Sequence, residues 1–158
     1  MNRIDGKVAV ITGGTQGLGA AIARLFSEAG AAGIAIVGRG EEKGQKVAND
    51  IESTTGVPTK MITADLGNIA DVRRVISEAD ERFGRIDILV NAAGLTDRGN
   101  FLNSSPELFD QIFAVNTRAP FFLMQDAAKV MVRERLEGRI INIGSMSQLA
   151  GQPFLAPY

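Results

Sequence analysis

The stretch Thr12–Gly19, TGGTQGLG, puts four glycines into eight residues between an apolar run and a helical pattern. Glycines there let the chain turn tightly and let a bulky group come close to the backbone. The free N–H groups of a helix start would face that group, and the helix dipole favours an anion. A pyrophosphate suits such a turn, with Gly13, Thr15, Gln16, Gly17, Leu18 and Gly19 as candidate contacts. The nucleoside-triphosphate pattern is not met, because Ala20 stands where it needs a lysine after Gly19. The spacing of Gly13, Gly17 and Gly19 also differs from G-x-G-x-x-G. A glycine-rich turn can be purely structural, so its place in the chain has to decide. Other chemistries are excluded by composition. The chain has no cysteine and no histidine, which removes disulfides, thiolate metal sites and Ser-His-Asp or Cys-His catalysis. No metal site is expected.

The surrounding elements alternate. KVAVIT (7–12), GIAIVG (33–38), TKMITAD (59–65), IDILVN (86–91) and GRIINIG (138–144) are short apolar runs that predict strands. Leu18, Ala21, Ile22, Leu25, Phe26 and Ala29 have helical spacing closed by Gly30, and 41–52 forms a polar helix. Ile69, Val72, Val75, Ile76, Ala79 and Phe83 mark another helix, ended by Gly84. A long helical region over about 105–136 is interrupted near Asn116 and Pro120. Strands alternating with helices predict an α/β fold, a doubly wound parallel sheet of Rossmann-like type, buried on both faces. Its ligand crevice would lie at the carboxyl ends of the strands, at residues 13–19, 38–39, 65–66, 91–94 and 144–147.

Length and charge narrow the classes. The 158 residues fit one dinucleotide-binding domain, read as the amino-terminal portion of a longer one. A net charge of −1 and 6% aromatics give no basic stripe for nucleic acid. The first apolar run is too short for a membrane span. The absence of cysteine suits a reducing, cytoplasmic setting.

T-G-x-x-x-G-x-G after the first strand resembles the cofactor motif of the short-chain dehydrogenase/reductase family, and other motifs follow in the family's order. Asp65-Leu66 follows the third strand, where the resemblance implies adenine contact. NAAG (91–94) resembles the family's N-N-A-G, with Ala92 in second place, so Asn91, Ala92 and Gly94 are implied to lie beside the cofactor. Asn116 precedes the fifth strand, Ser145 follows it, and Tyr158 comes thirteen residues after Ser145, at the family's spacing. Asp65 could equally cap a helix or a turn. Asn91 reads as structural, an amide bridging neighbouring elements.

The resemblance implies an NAD(P)-dependent oxidoreductase interconverting a secondary alcohol and a ketone. Ser145 would polarise the carbonyl and Tyr158 would act as general acid/base, with Asn116 holding a water of the proton relay. A free phenol ionises near pH 10, so Tyr158 needs a nearby cation. The family supplies a lysine four residues on, at position 162, past the last residue given. Gly38 stands where NAD-specific members carry an acid, and Arg39 follows; NADP(H) is therefore the expected cofactor, with NAD(H) the alternative. Arg39 as a solvated loop charge is the competing reading. The family also implies a homo-oligomer, with PFFLMQ (120–125) in core or interface. The ending reads as a cut through the active site, so the 158 residues alone are expected to lack turnover. The second functional reading is a nucleotide-binding regulatory or scaffold protein without turnover.

Overall fold

Five β-branched runs take up extended backbone as β1 (Val8–Thr12), β2 (Gly33–Gly38), β3 (Thr59–Thr63), β4 (Ile88–Asn91) and β5 (Arg139–Asn142). The structure is a computed structural model that describes residues 3–97, 100–150 and 154–158. The closing segment's residues 151–153 therefore lie outside the described residues. All strand pairs are parallel, in the order β3-β2-β1-β4-β5. Parallel neighbours need long crossovers. These are α1 (Gly17–Glu28), α2 (Glu41–Thr55) and α3 (Ile69–Phe83), then α4 (Pro106–Phe113) and α5 (Ala119–Arg133) joined by a π turn, Ala114–Arg118. The chain steps outward from β1 to β3, then returns to β4 on the other flank of β1. That reversal opens a crevice at the carboxyl ends of β1 and β4.

Successive strand residues point to opposite faces, and the register keeps each face in phase. Ile11, Ile36 and Met61 align across β1, β2 and β3 and pack with Val47, Ala48 and Ile51 of α2 and Ala20 and Ala23 of α1. Val10 and Leu89 align on the other face, with Val72, Val75 and Ile76 of α3 and Leu123 and Ala127 of α5. Full burial of one such Val, Ile or Leu contributes about 1.5–3 kcal/mol. Across the α3–α5 seam Arg73 bonds Asp126 and covers the Phe122 ring, and Arg133 grips both oxygens of Asp80 at 2.7 and 2.8 Å. Exposed ion pairs give up to about 1 kcal/mol each, so apolar burial holds α5 in place and the pairs set its register.

Among the described residues β5 pairs with β4, and its four residues are exposed. The helical region is interrupted at Asn116, by the π turn, and resumes as α5 with Pro120 in its first turn. A proline lacks an N–H and crowds the carbonyl four residues back. The wider π turn, closed by Ala119 N–H to the Ala114 carbonyl, accommodates it.

The amino ends of the strands are tied by Asp87. Its buried carboxylate accepts from Val8 N (3.0 Å), Lys7 Nζ (3.3 Å) and Arg85 Nε and Nη2 (2.8 and 2.6 Å). Burial pushes its pKa up, but Arg85, the Val8 N–H and Lys7 together outweigh that and hold it below the usual carboxylate range. The stabilisation from this ionised group is complete above the unfolded-state pKa of about 4 and is lost as pH falls through the lower folded value. We expect Asp87→Asn to cost roughly 2 kcal/mol at pH 7. In melting curves against pH, the gap to wild type should stay constant from about pH 5 to 7 and narrow below about 4; a gap that widens in acid would contradict the assignment.

Candidate active site

The crevice begins with Thr12 at the end of β1. Its buried Oγ1 accepts from the backbone N–H of both Ala92 and Ala93, each at 3.1 Å, and so fastens the chain leaving β4 to the chain leaving β1. Gly13 comes next with φ +69°, and a Cβ there would lie 2.9 Å from Ala92 O. Gly19 has its own constraint: a Cβ would stand 2.3 Å from Gly13 O. The turn is thus folded against itself on one side. On the other, Gly17 has φ +54° and a Cβ there would meet nothing within 4 Å, so the mouth of the turn is open. Gln16 precedes the first residue of α1 and makes no side-chain cap.

Two clefts flank this junction. The first, about 290 Å³, is lined by Gly13, Thr15 to Gly19, Gly38, Arg39, Ala64, Asp65, Leu66, Ala92 to Leu95, Gln111 and Val115. The second, about 590 Å³, is lined by Asn91, Ala93, Gly94, Asn116, Thr117, Pro120, Phe121, Met124, Asn142 to Ser145, Ser147, Gln148, Leu155 and Tyr158. Ala93 and Gly94 belong to both, so the clefts share a wall. Of the cofactor residues expected from sequence, all line the first cleft except Asn91, which lines the second with Ser145, Tyr158 and Asn116.

Individual residues carry more detail. Asp65 does not cap α3; Asn68 does, accepting from Ala70 N, while Asp65 Oδ1 accepts from Gly67 N (2.9 Å) and closes the turn. Asp65 N–H donates to Asp71. That bond, and then Arg74, hold the Asp71 carboxyl below its usual range. Asn91 is buried and donates through Nδ2 to Asn142 Oδ1 (2.8 Å), an amide bridge from β4 to β5. Asn116 grips the backbone of Leu95, accepting from its N–H at 2.8 Å and donating to its carbonyl at 2.7 Å. It therefore fixes the loop after β4 rather than mending its own helix, and any water it held would come in addition. Ser145 Oγ accepts from Ser147 N (3.1 Å), which leaves its hydroxyl hydrogen for another acceptor. Tyr158 is partly exposed in the same cleft. The sequence reading missed Thr12, although it opens the glycine motif, and the helical pair Gln111 and Val115, four apart on the floor of the first cleft.

A glycine-walled cradle at a helix start, open on one side, fits a dinucleotide's pyrophosphate. The arrangement defines a Rossmann-like protein with an adjoining hydroxyl-bearing cleft. The short chain dehydrogenase family profile matches residues 7–158, and the chain belongs to that family of oxidoreductases. It is 36% identical, over 99% of its length, to a versicolorin reductase from Emericella nidulans, of which it covers 58%. A putative short-chain alcohol dehydrogenase from Sinorhizobium meliloti superposes with a TM-score of 0.92 at 31% identity, the chain covering 61% of it and 99% of itself being matched. A metagenomic short-chain oxidoreductase in complex with NADP gives 0.90 at 32%, with 98% of this chain and 68% of that one covered. The chain spans a little over half the length of such curated relatives. Among the described residues no helix is long and apolar enough to cross a membrane, and no cluster of three carboxylates, histidines or cysteines could hold a metal.

If Thr12 is the fastener of the crevice, Thr12→Val should strand two part-buried N–H groups and cost roughly 1–3 kcal/mol. Thr12→Ser should keep most of the stability, and dinucleotide affinity should follow the same order. Equal melting temperatures for Val and Ser variants would remove the hydroxyl from the argument.

Proposed function

We propose that the protein is an NADP(H)-dependent oxidoreductase interconverting a secondary alcohol and a ketone. The observation that carries this reading is the wall shared by the two clefts, at Ala93 and Gly94. A dinucleotide in the first would present its reactive end to the hydroxyls of the second. When bound, it supplies the hydride to the carbonyl carbon in reduction and accepts it in oxidation. Ser145, its oxygen already accepting from Ser147 N–H, donates its hydrogen to the substrate oxygen. Tyr158 gives that oxygen its proton in reduction and removes it in oxidation. Among the described residues no lysine or arginine lines the second cleft. The cation that the family resemblance implies beside Tyr158 is a lysine four residues on, at position 162.

Packing around Gly38 supports the choice of NADP(H). A Cβ at Gly38 would lie 2.7 Å from Thr15 Cγ2, so an acidic side chain cannot enter there unless Thr15 moves. The group that would bond a ribose 2′-hydroxyl and repel a 2′-phosphate is thereby kept out. Arg39, exposed at the same rim, forms no ion pair among the described residues and is available to a phosphate.

The test is made on the full-length protein, following loss of NADPH absorbance with a panel of ketones. Tyr158→Phe should lower kcat by about 10²–10⁴-fold with NADPH binding unchanged. Tight binding of NADPH with no oxidation by any ketone would favour a silent dinucleotide binder instead. Arg39→Ala should raise KM for NADPH at least about tenfold and leave that for NADH within about twofold; parallel changes for both cofactors would reject the phosphate contact.

A further inference from the structure

The π turn carries two polar side chains with distant backbone partners. Asn116 holds Leu95, in the loop after β4. Arg118, two residues on, leaves the turn on the roughly opposite side and donates from Nη2 to the carbonyl of Gly67 at 2.7 Å. Gly67 follows Asp65 and Leu66, which line the first cleft. Otherwise the loop 65–68 is held by local bonds: Asp65 Oδ1 to Gly67 N, Asp65 O to Asn68 N, and Asp71 to Asp65 N. Among the described residues the Arg118 bond is the long-range hydrogen bond of this loop. Those local bonds set the loop's shape, and Leu66, buried in the core with Leu89 of β4, seats its apolar side; the Arg118 bond adds the polar tie at Gly67. A guanidinium on a carbonyl is a charge-assisted bond, stronger than a neutral one.

We propose that Arg118 is a positioning residue for cofactor binding: by holding Gly67 it sets the distance of the Asp65–Leu66 loop from the loop that Asn116 holds. One turn of helix then spaces both walls of the first cleft. The inference rests on the reading of that cleft as a dinucleotide site. Arg118 lines neither cleft, so its effect on binding runs through Gly67.

The test compares Arg118→Met and Arg118→Lys with wild type in the full-length protein. Adenosine 2′,5′-bisphosphate serves as a probe of the adenine half alone. Arg118→Met should raise both KM for NADPH and Ki for the probe about tenfold, while kcat at saturating NADPH and KM for the ketone stay within about twofold. Arg118→Lys, which keeps a cationic donor, should recover most of the affinity. Unchanged Ki in the Met variant would overturn the proposal, as would a loss of affinity that tracks the melting temperature and is not recovered by lysine. Failure of the wild-type protein to bind NADPH or the probe would instead reject the dinucleotide reading itself.

Discussion

The site depends on how closely the ends of β1 and β4 can approach. One hydroxyl, Thr12 Oγ1, accepts from two successive N–H groups across the switch point. The missing side chain at Gly13 lets the two backbones meet. A parallel sheet whose strand order reverses between two adjacent strands has loops that diverge there, and diverging loops leave a crevice. Left unfastened, that crevice would have mobile walls. Thr12 fastens it at its root, so one cleft can open on each side of Ala93 and Gly94.

From that root the walls are built by few elements. Asn116 secures the β4 loop through Leu95, and Arg118 reaches the β3 loop through Gly67. Both sit in the π turn, where the bonding pattern changes just before Pro120. A π turn is less favourable than α-helix and survives where its surroundings over-determine it. Here it resolves one local conflict, the missing N–H of Pro120, and gives Asn116 and Arg118 directions set by the wider turn. Burial of Leu123, Ala127 and their neighbours against α3 and the sheet anchors the downstream helix, so the turn is held from one end by the core.

The strands, helices and glycine turn were legible because each is written locally. Period-two and period-3.6 patterns name the element, and Gly13, Gly17 and Gly19 announce backbone that side chains would obstruct. The expected cofactor residues, Asn91 apart, lie along one cleft because strand ends in a parallel sheet converge by topology alone, and topology follows from alternation. What escaped was pairwise. Asp65 and Asn68 compete for one cap within three residues, and only geometry decides that Asn68 takes it. Arg118 looks like any solvated charge until its carbonyl partner, fifty-one residues away, is in place.

The rim of the first cleft joins these scales. Selectivity for a ribose substituent is usually read from the residue at the end of β2, as though that position were free to vary. Here it has a neighbour. Thr15, from the glycine turn, packs its methyl where a Cβ of residue 38 would stand. A side chain at position 38 would require the Thr15 methyl to turn away, and Thr15 itself lines the first cleft. The two positions are therefore coupled, and a single exchange at the end of β2 also disturbs the glycine turn. Gly38 leaves the end of β2 without a carboxylate and Arg39 leaves the rim with an exposed cation; charge at a solvated edge is screened, so the absence of a repelling group there counts beside the charge itself.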